Sequence, residues 1–455
     1  MKVLFICPAV STNYKQHIKA IALKGWKDTR FFKRDIKRNE RSLHKTFYGL
    51  GLLSLTSYLP KEIQFTFIDE NTEKVNYPTL LKTNKFDLVA ITAQLIQSKR
   101  AIELIHYFSS RGIYVVVGGP HPTTFPELYA INNDTSIFLG EGEYTFKSFL
   151  EDFMNRMPKP VYHQIRNEYV DMSRLLATNF SIISKNRYNF IGVQTTRGCP
   201  YKCRFCSVST ISGNKYRHKS IEQICDEIKQ VKKYWPESNL LFFDDNTFAD
   251  TDFAFSLFEA LKNIDLGNWI CQSDISISQQ PELLDLVASN GHPFFSFGFE
   301  TLSDKNVKTI NNKMKEKFIS KYESCIKKLQ SKGIVVGGSF IFGFSGDTES
   351  DLNDIMEFIH KTNINGYVTI YTAIPGCKLY DDILYEYEQE VGDVKEKKTE
   401  QIKRINQYLM RKNNFDLLDT EDMIIKALRR RYSTKIPMLA IDSLAVYRAF
   451  LDIAV

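Results

Sequence analysis

The sequence predicts an α/β chain built from two successive parallel-sheet units and a helical tail. Three observations carry this. Apolar β runs alternate with helical patterns through residues 1–150, the rhythm breaks over residues 151–190, and it resumes from Ile191 to about Tyr385. The first unit reads as a doubly wound sheet, with strand candidates at Lys2–Cys7, Ile63–Ile68, Asp87–Thr92, Tyr114–Val117 and Ser136–Leu139. Amphipathic stretches such as Leu50–Tyr58 and Ser98–Ser110 lie between them. Met157-Pro158-Lys159-Pro160 is semi-rigid and marks residues 151–190 as a linker. The second unit offers six strands, at Ile191–Thr195, Asn239–Phe243, Trp269–Asp274, Phe294–Phe299, Val335–Phe342 and Tyr367–Tyr371. Each is followed by a helix or loop, which suggests a partial (β/α)6 barrel over residues 191–385. Residues 386–455 read as a helical C-terminal extension, ending in an amphipathic run through Leu439–Ala454.

Composition narrows the class. At 455 residues, 43% hydrophobic and 25% charged, the chain is a folded protein of two or three domains. A net charge of +7 over 455 residues is a mild bias and weak evidence for a nucleic-acid partner, and none is expected. No window nears the ~18 apolar residues of a membrane span. The opening MKVLFICPAV reads as a buried strand rather than a signal peptide, so a cytoplasmic location is expected. Eight cysteines are too few for a disulfide scaffold, and three of them cluster.

That cluster is Cys199, Cys203 and Cys206, spaced C-x3-C-x2-C within Thr196–Cys206 directly after a predicted strand. Soft thiolates favour an iron–sulfur cluster or zinc, and a zinc site would need a fourth ligand, for which His218 is the nearby candidate. The spacing resembles the signature of the radical S-adenosylmethionine (SAM) superfamily. The resemblance continues through Arg217-His218-Lys219-Ser220, Phe243-Asp244-Asp245-Asn246, Pro281-Glu282-Leu283-Leu284, Gly298-Phe299-Glu300-Thr301, Gly338–Phe344 and Ile374–Tyr380. Cys377 stands where that family usually has Thr or Ser, a neutral substitution.

The resemblance implies a [4Fe–4S] cluster on the three cysteines, with SAM chelating the open iron and yielding a 5′-deoxyadenosyl radical. It also implies SAM contacts from Phe205 (adenine), Glu300 (ribose), the Asp244-Asp245 turn and Ser339. Against these stand plainer readings: a salt-bridged barrel carboxylate for Glu300 and strand-end caps for the aspartates.

In the first unit, Gly118-Gly119-Pro120-His121-Pro122 and Gly140-Glu141-Gly142-Glu143 each follow a β run. Glycines there permit close backbone approach to a ligand beyond the strand ends. With Tyr48-Gly49-Leu50-Gly51-Leu52 and Asp87–Thr92 they resemble the Rossmann-like cobalamin-binding domain fused to many radical SAM enzymes. That likeness implies cobalamin contacts from Thr92, Gly119, Pro120, His121, Glu141, Gly142 and Glu143. The D-x-H-x-x-G motif that supplies a lower axial histidine is absent, so cobalamin is expected base-off, with His121 shaping a turn rather than ligating cobalt.

Cys271 or Cys377 could carry a methyl or thiyl group, though small buried hydrophobes are the plainer reading. Arg429-Arg430-Arg431 could meet an acidic substrate or form a solvated helix end. No second C-x-x-C pattern argues for an auxiliary cluster. The expected function is methyl transfer from SAM, through cobalamin, to an unactivated carbon of a small-molecule, lipid or peptide substrate, with flavodoxin or ferredoxin as electron donor. The barrel segments resemble the branch that includes hopanoid methylases. The alternative is a cyclisation, ring contraction or rearrangement using the same cofactors without methyl transfer.

Overall fold

A computed structural model describes residues 1–10, 46–164, 168–392 and 398–413. The first unit is a six-stranded parallel sheet of β1 (Lys2–Cys7), β2 (Gln64–Asp69), β3 (Leu88–Thr92), β4 (Tyr114–Gly118), β5 (Thr135–Leu139) and β6 (Val161–His163). Its order is β2-β1-β3-β4-β5-β6. Successive side chains of a strand point to opposite faces, and β1 uses both. Leu4 and Ile6 pack with Ala101, Leu104, Ile105 and Phe108 of the helix Ser98–Ser109. Val3 and Phe5 pack with Phe146, Phe149 and Leu150 of the helix Gly142–Met154. A sheet covered on both faces needs the near-continuous apolar runs seen in β1, β3 and β4. The strand order reverses once after β1, which leaves a crevice at the carboxyl ends beside β3, where such sheets take ligands.

The second unit contains β7 (Phe190–Val193), an antiparallel pair β8 (Thr196–Arg197) and β9 (Arg217–His218), then β10 (Asn239–Phe242), β11 (Asn268–Ser273), β12 (His292–Glu300), β13 (Val335–Phe342) and β14 (Asn365–Ile370). Its main sheet is parallel and strictly sequential, β7-β10-β11-β12-β13-β14. A sequential order with right-handed crossovers keeps the connecting helices on one face and curls the other inward, as in an open barrel. Trp269, Phe295 and Phe297, nearly inaccessible, belong to this unit's main core. Ser220, Asp250 and Ser303 cap helices through hydrogen bonds to backbone amides two residues into each first turn, at Gln223, Phe253 and Asn306.

Two boundaries differ from the sequence reading. The stretch 151–190, expected as linker, instead completes a helix and adds the edge strand β6 to the first sheet. Three residues are too short for an alternation to register. The helix Lys378–Val391, which starts after Cys377 at its N-cap, also runs across the expected boundary at 385. A further helix spans Lys398–Lys412, while Arg429–Arg431 and Leu439–Ala454 lie outside the described residues. Among the described residues no helix is long and apolar enough to cross a membrane.

Candidate functional site

The cysteine loop leaves the carboxyl end of β7 and is fixed at both ends. Asp244, buried after β10, accepts the amides of Thr195 (2.7 Å) and Thr196 (2.9 Å), and its other oxygen accepts the Thr195 hydroxyl (2.5 Å). Asp245 accepts the Gly198 amide at 2.8 Å. Burial raises both carboxyls, that of Asp244 to about 6. These contacts give the two aspartates the strand-end capping role, with their side chains turned onto the loop. Gly198 has φ +88°, and a Cβ there would overlap the Lys215 carbonyl, so glycine is required. Further along, Cys199 donates its amide to Gly213 (3.2 Å), Arg204 to Ile310 (3.2 Å), and Leu379 to Arg204 (2.7 Å).

All three cysteines are free and half-buried. Burial raises the Cys199 thiol to about 11 and that of Cys206 to about 12, and each also feels the charge of Cys203. Burial raises Cys203 too, opposed by the Lys315 ammonium and by Asn312, whose Nδ2 donates to Sγ at 3.0 Å. Among the described residues no three His, Cys, Asp or Glu side chains converge on one ion. His218 stacks on Phe253 (3.9 Å) and its Nδ1 contacts the Lys219 carbonyl (3.0 Å), so it supplies no fourth ligand. A cubane spreads its thiolates over separate irons and needs no convergence on a point. Three mutually interacting, partly accessible thiols on one loop fit such a cluster.

Glu300 ends β12 with φ +66°, rare for a residue with a side chain, at a register shift following Gly298. Its Oε1 lies 3.2 Å from Nζ of buried Lys315, which also hydrogen-bonds the Gly298 carbonyl. A side chain at Gly298 would overlap the Glu300 carboxylate. Backbone strain of this kind persists where surroundings enforce it, often at ligand sites. Ser339 pairs in register with Gly298 on the neighbouring strand. Phe205 packs with Cys203 against an apolar group that includes Ile310, Phe344 and Tyr371.

A cavity of about 440 Å³ lies between the two units. Thr92, Gly119, Pro120 and Gly140–Glu143 line one side, at the carboxyl ends of β3, β4 and β5. Gln194, Arg197, Asp244 and Asp245 line the other. The cavity's place and size are those of a ligand site, with two glycine-bearing strand ends as its floor. Among the described residues no histidine lines it. His121 is buried outside the lining: its ring stacks on Phe125 (4.7 Å), Nδ1 lies 2.8 Å from the Tyr129 hydroxyl, and Nε2 has no hydrogen-bond partner among the described residues. Burial lowers its pKa to about 4. Cys271 and Cys377 are likewise buried outside the lining.

Glu141 and Glu143 line the cavity, but their carboxylates are engaged by cations of the second unit. Arg197 lies 3.0 Å from Glu141 and 2.8 Å from Glu143, and Arg217 lies 2.8 Å from Glu141. Burial alone would raise Glu143, yet the Arg197 guanidinium outweighs it and holds the carboxyl below its ordinary range. Glu141 also accepts the Val170 amide at 2.7 Å. Arg197, Lys315 and Asn312 carry no role that the sequence assigns, and Arg217 stands out there only as part of Arg217-His218-Lys219-Ser220. The only available signal for Arg197 was its place immediately before Gly198-Cys199.

Residues 193–359 match the family described as the Radical SAM superfamily. The chain is 26% identical over 342 residues to bacteriochlorophyllide d C-12(1)-methyltransferase of Chlorobaculum tepidum, covering 73% of each. It is 23% identical over 344 residues to hopanoid C-2 methylase of Rhodopseudomonas palustris, covering 74% of this chain and 64% of that one. Its fold is that of the radical SAM methyltransferase TsrM from Kitasatospora setae, solved with cobalamin and a [4Fe–4S] cluster bound. That match has a TM-score of 0.61 at 14% identity, over 85% of this chain and 75% of that one. The thiol loop and most of the barrel that carries it thus lie in the stretch, residues 193–359, that matches the Radical SAM superfamily.

Proposed function

We propose that the protein is a cobalamin-dependent radical SAM methyltransferase that methylates an unactivated carbon. The observation that carries this reading is the shared cavity. The strand ends expected to hold a corrin and the base of the thiol loop, through Arg197, Asp244 and Asp245, face the same space. Cys199, Cys203 and Cys206 would hold the cluster. Phe205, Glu300 and Ser339 would contact SAM, and Thr92, Gly119, Pro120 and Gly142 would contact the corrin. When bound, the cluster and SAM supply a radical able to abstract hydrogen, and cobalamin supplies the methyl group. This chain's own part is to orient and to shield. Asp244 and Asp245 hold the loop's entry, Lys315 sets the Glu300 carboxylate, and the Arg197 pairs hold the corrin-side loop against the cluster-side loop. The electron would come from a flavodoxin- or ferredoxin-class donor.

The test counts bonds broken in SAM. Methyl transfer breaks sulfur–methyl in one SAM and sulfur–adenosyl in a second, so S-adenosylhomocysteine and deoxyadenosine should form in about equal amounts with methylated product. Deoxyadenosine formed with a true substrate but without matching homocysteine would refute methyl transfer and leave a rearrangement or cyclisation. Label from methyl-labelled SAM on the corrin tests the methylation half before any substrate is known.

A further inference from the structure

Asn312 stands at the start of the short helix Lys313–Phe318 and is only 3% exposed. Its Oδ1 accepts the backbone amides of Met314 (3.0 Å) and Lys315 (3.1 Å). That commitment fixes which end of the amide is which, because the oxygen is the only atom that can accept two N–H groups. The remaining end, Nδ2, can only donate. It lies 3.0 Å from Sγ of Cys203, on a loop 109 positions earlier in the chain. The capping bonds therefore hold a donor against one cysteine sulfur, and Lys315 on the same turn adds positive charge toward that sulfur.

We propose that Asn312 is a positioning residue that raises the electron affinity of the iron–sulfur cluster through its hydrogen bond to the Cys203 sulfur. The inference rests on the cluster assignment made above. One-electron reduction, by a flavodoxin- or ferredoxin-class donor or a chemical reductant, adds one negative charge that spreads onto the ligating sulfurs. An N–H held at a sulfur stabilises the more negative state more than the other, and the weakly screening interior enlarges the difference. The cap supplies rigidity, so the donor needs no reordering when the electron arrives.

The test uses the full-length protein, reconstituted anaerobically, with the cluster midpoint read by redox titration under electron paramagnetic resonance. Asn312→Asp keeps the helix cap, since Asp accepts the same two amides, but turns the donor into a charged acceptor. Asn312→Ser keeps a capping side chain without adding charge, and its hydroxyl, on a side chain one bond shorter, is drawn back from the Cys203 sulfur. The expected result is a reduction constant at least tenfold smaller for N312D, a midpoint 59 mV more negative. N312S should shift in the same direction by a smaller factor, and both should keep wild-type iron content. A purely structural asparagine would instead change the melting temperature of N312A and leave every midpoint in place. Midpoints of N312D and N312S equal to wild type would overturn the proposal. Loss of iron from either variant would overturn it too, since the bond is assigned to tuning and not to holding. A wild type that assembles no cluster would refute the cluster assignment itself, a result distinct from a cluster whose midpoint ignores residue 312.

Discussion

Replacing Arg197 with Met removes one guanidinium from two carboxylates in a nearly dry contact between the units. The side chains of Arg197, Glu141 and Glu143 are 13%, 3% and 6% exposed. Each pair is worth about 4 kcal/mol of Coulomb attraction at an effective dielectric near 20. Glu141 keeps Arg217, whereas Glu143 loses its partner, so the net loss should be about 3–5 kcal/mol at pH 7.5, as for other broken buried pairs. Protonation of Glu143 limits this. Neutralising a carboxyl of ordinary pKa costs about 4 kcal/mol at pH 7.5 but only about 1 kcal/mol at pH 5.0. In the wild type the depressed Glu143 pKa stabilises the fold above the unfolded value, and this contribution is lost only as pH falls through the folded one. The gap between wild type and Arg197→Met should therefore shrink between pH 7.5 and pH 5.0. Urea unfolding followed by tryptophan fluorescence measures it, and Glu143→Gln on the Arg197→Met background should recover much of the loss at pH 7.5. A gap of equal size at both pH values would refute the argument, as would a double variant no better than the single one.

Replacing any one of Cys199, Cys203 or Cys206 with Ala should sharply lower cluster iron and abolish deoxyadenosine formation, while Cys225→Ala and Cys325→Ala leave both nearly intact. Four irons per chain in the triple variant would refute the assignment. Bound cobalamin should be base-off, and its cob(II)alamin paramagnetic spectrum should show no protein-nitrogen splitting, unchanged in His121→Ala because that ring lies outside the cavity lining. Splitting that disappears in His121→Ala would refute this. Gly298→Ala should displace the Glu300 carboxylate from Lys315 and destabilise the barrel by about 1–3 kcal/mol, the usual cost of overpacking, with weaker SAM binding by calorimetry. Unchanged affinity would remove Glu300 from the SAM site.

The two parallel sheets were legible because buried parallel strands are written as apolar runs, and β1 and β13 could hardly be read otherwise. The thiol loop was legible because cluster ligands are local in sequence. Partners of buried polar groups were not. Glu141 and Glu143 read as ligand-facing because they follow a strand end, but their charges are answered from Arg197 and Arg217, more than fifty positions away. Asp244 reads equally as a ligand contact or a cap until the Thr195 and Thr196 amides are placed beside it. Asn312 carries no motif; its meaning comes from a helix start that happens to face Cys203.

The first unit is also tied to the second through its backbone. Thr46 bridges to Phe190 of β7, and Phe47 donates its amide to the Phe190 carbonyl at 3.0 Å. The Phe47 side chain is fully buried in the second unit's core, 5.3 Å from the Tyr188 ring. During synthesis, Phe47 is added about 140 positions before its partner, a wait of about 7–30 s at ordinary elongation rates. Through that interval Phe47 has Phe67 of β2 beside it, 6.3 Å away, but lacks Tyr188 and the rest of the second unit's core. Release of a chain cut between β6 and β7 would make the interval permanent, so the amino-terminal half expressed alone should depend on chaperones in a way the complete polypeptide does not. Birth order and burial order run against each other here, and the strand that opens the second unit is what completes the first.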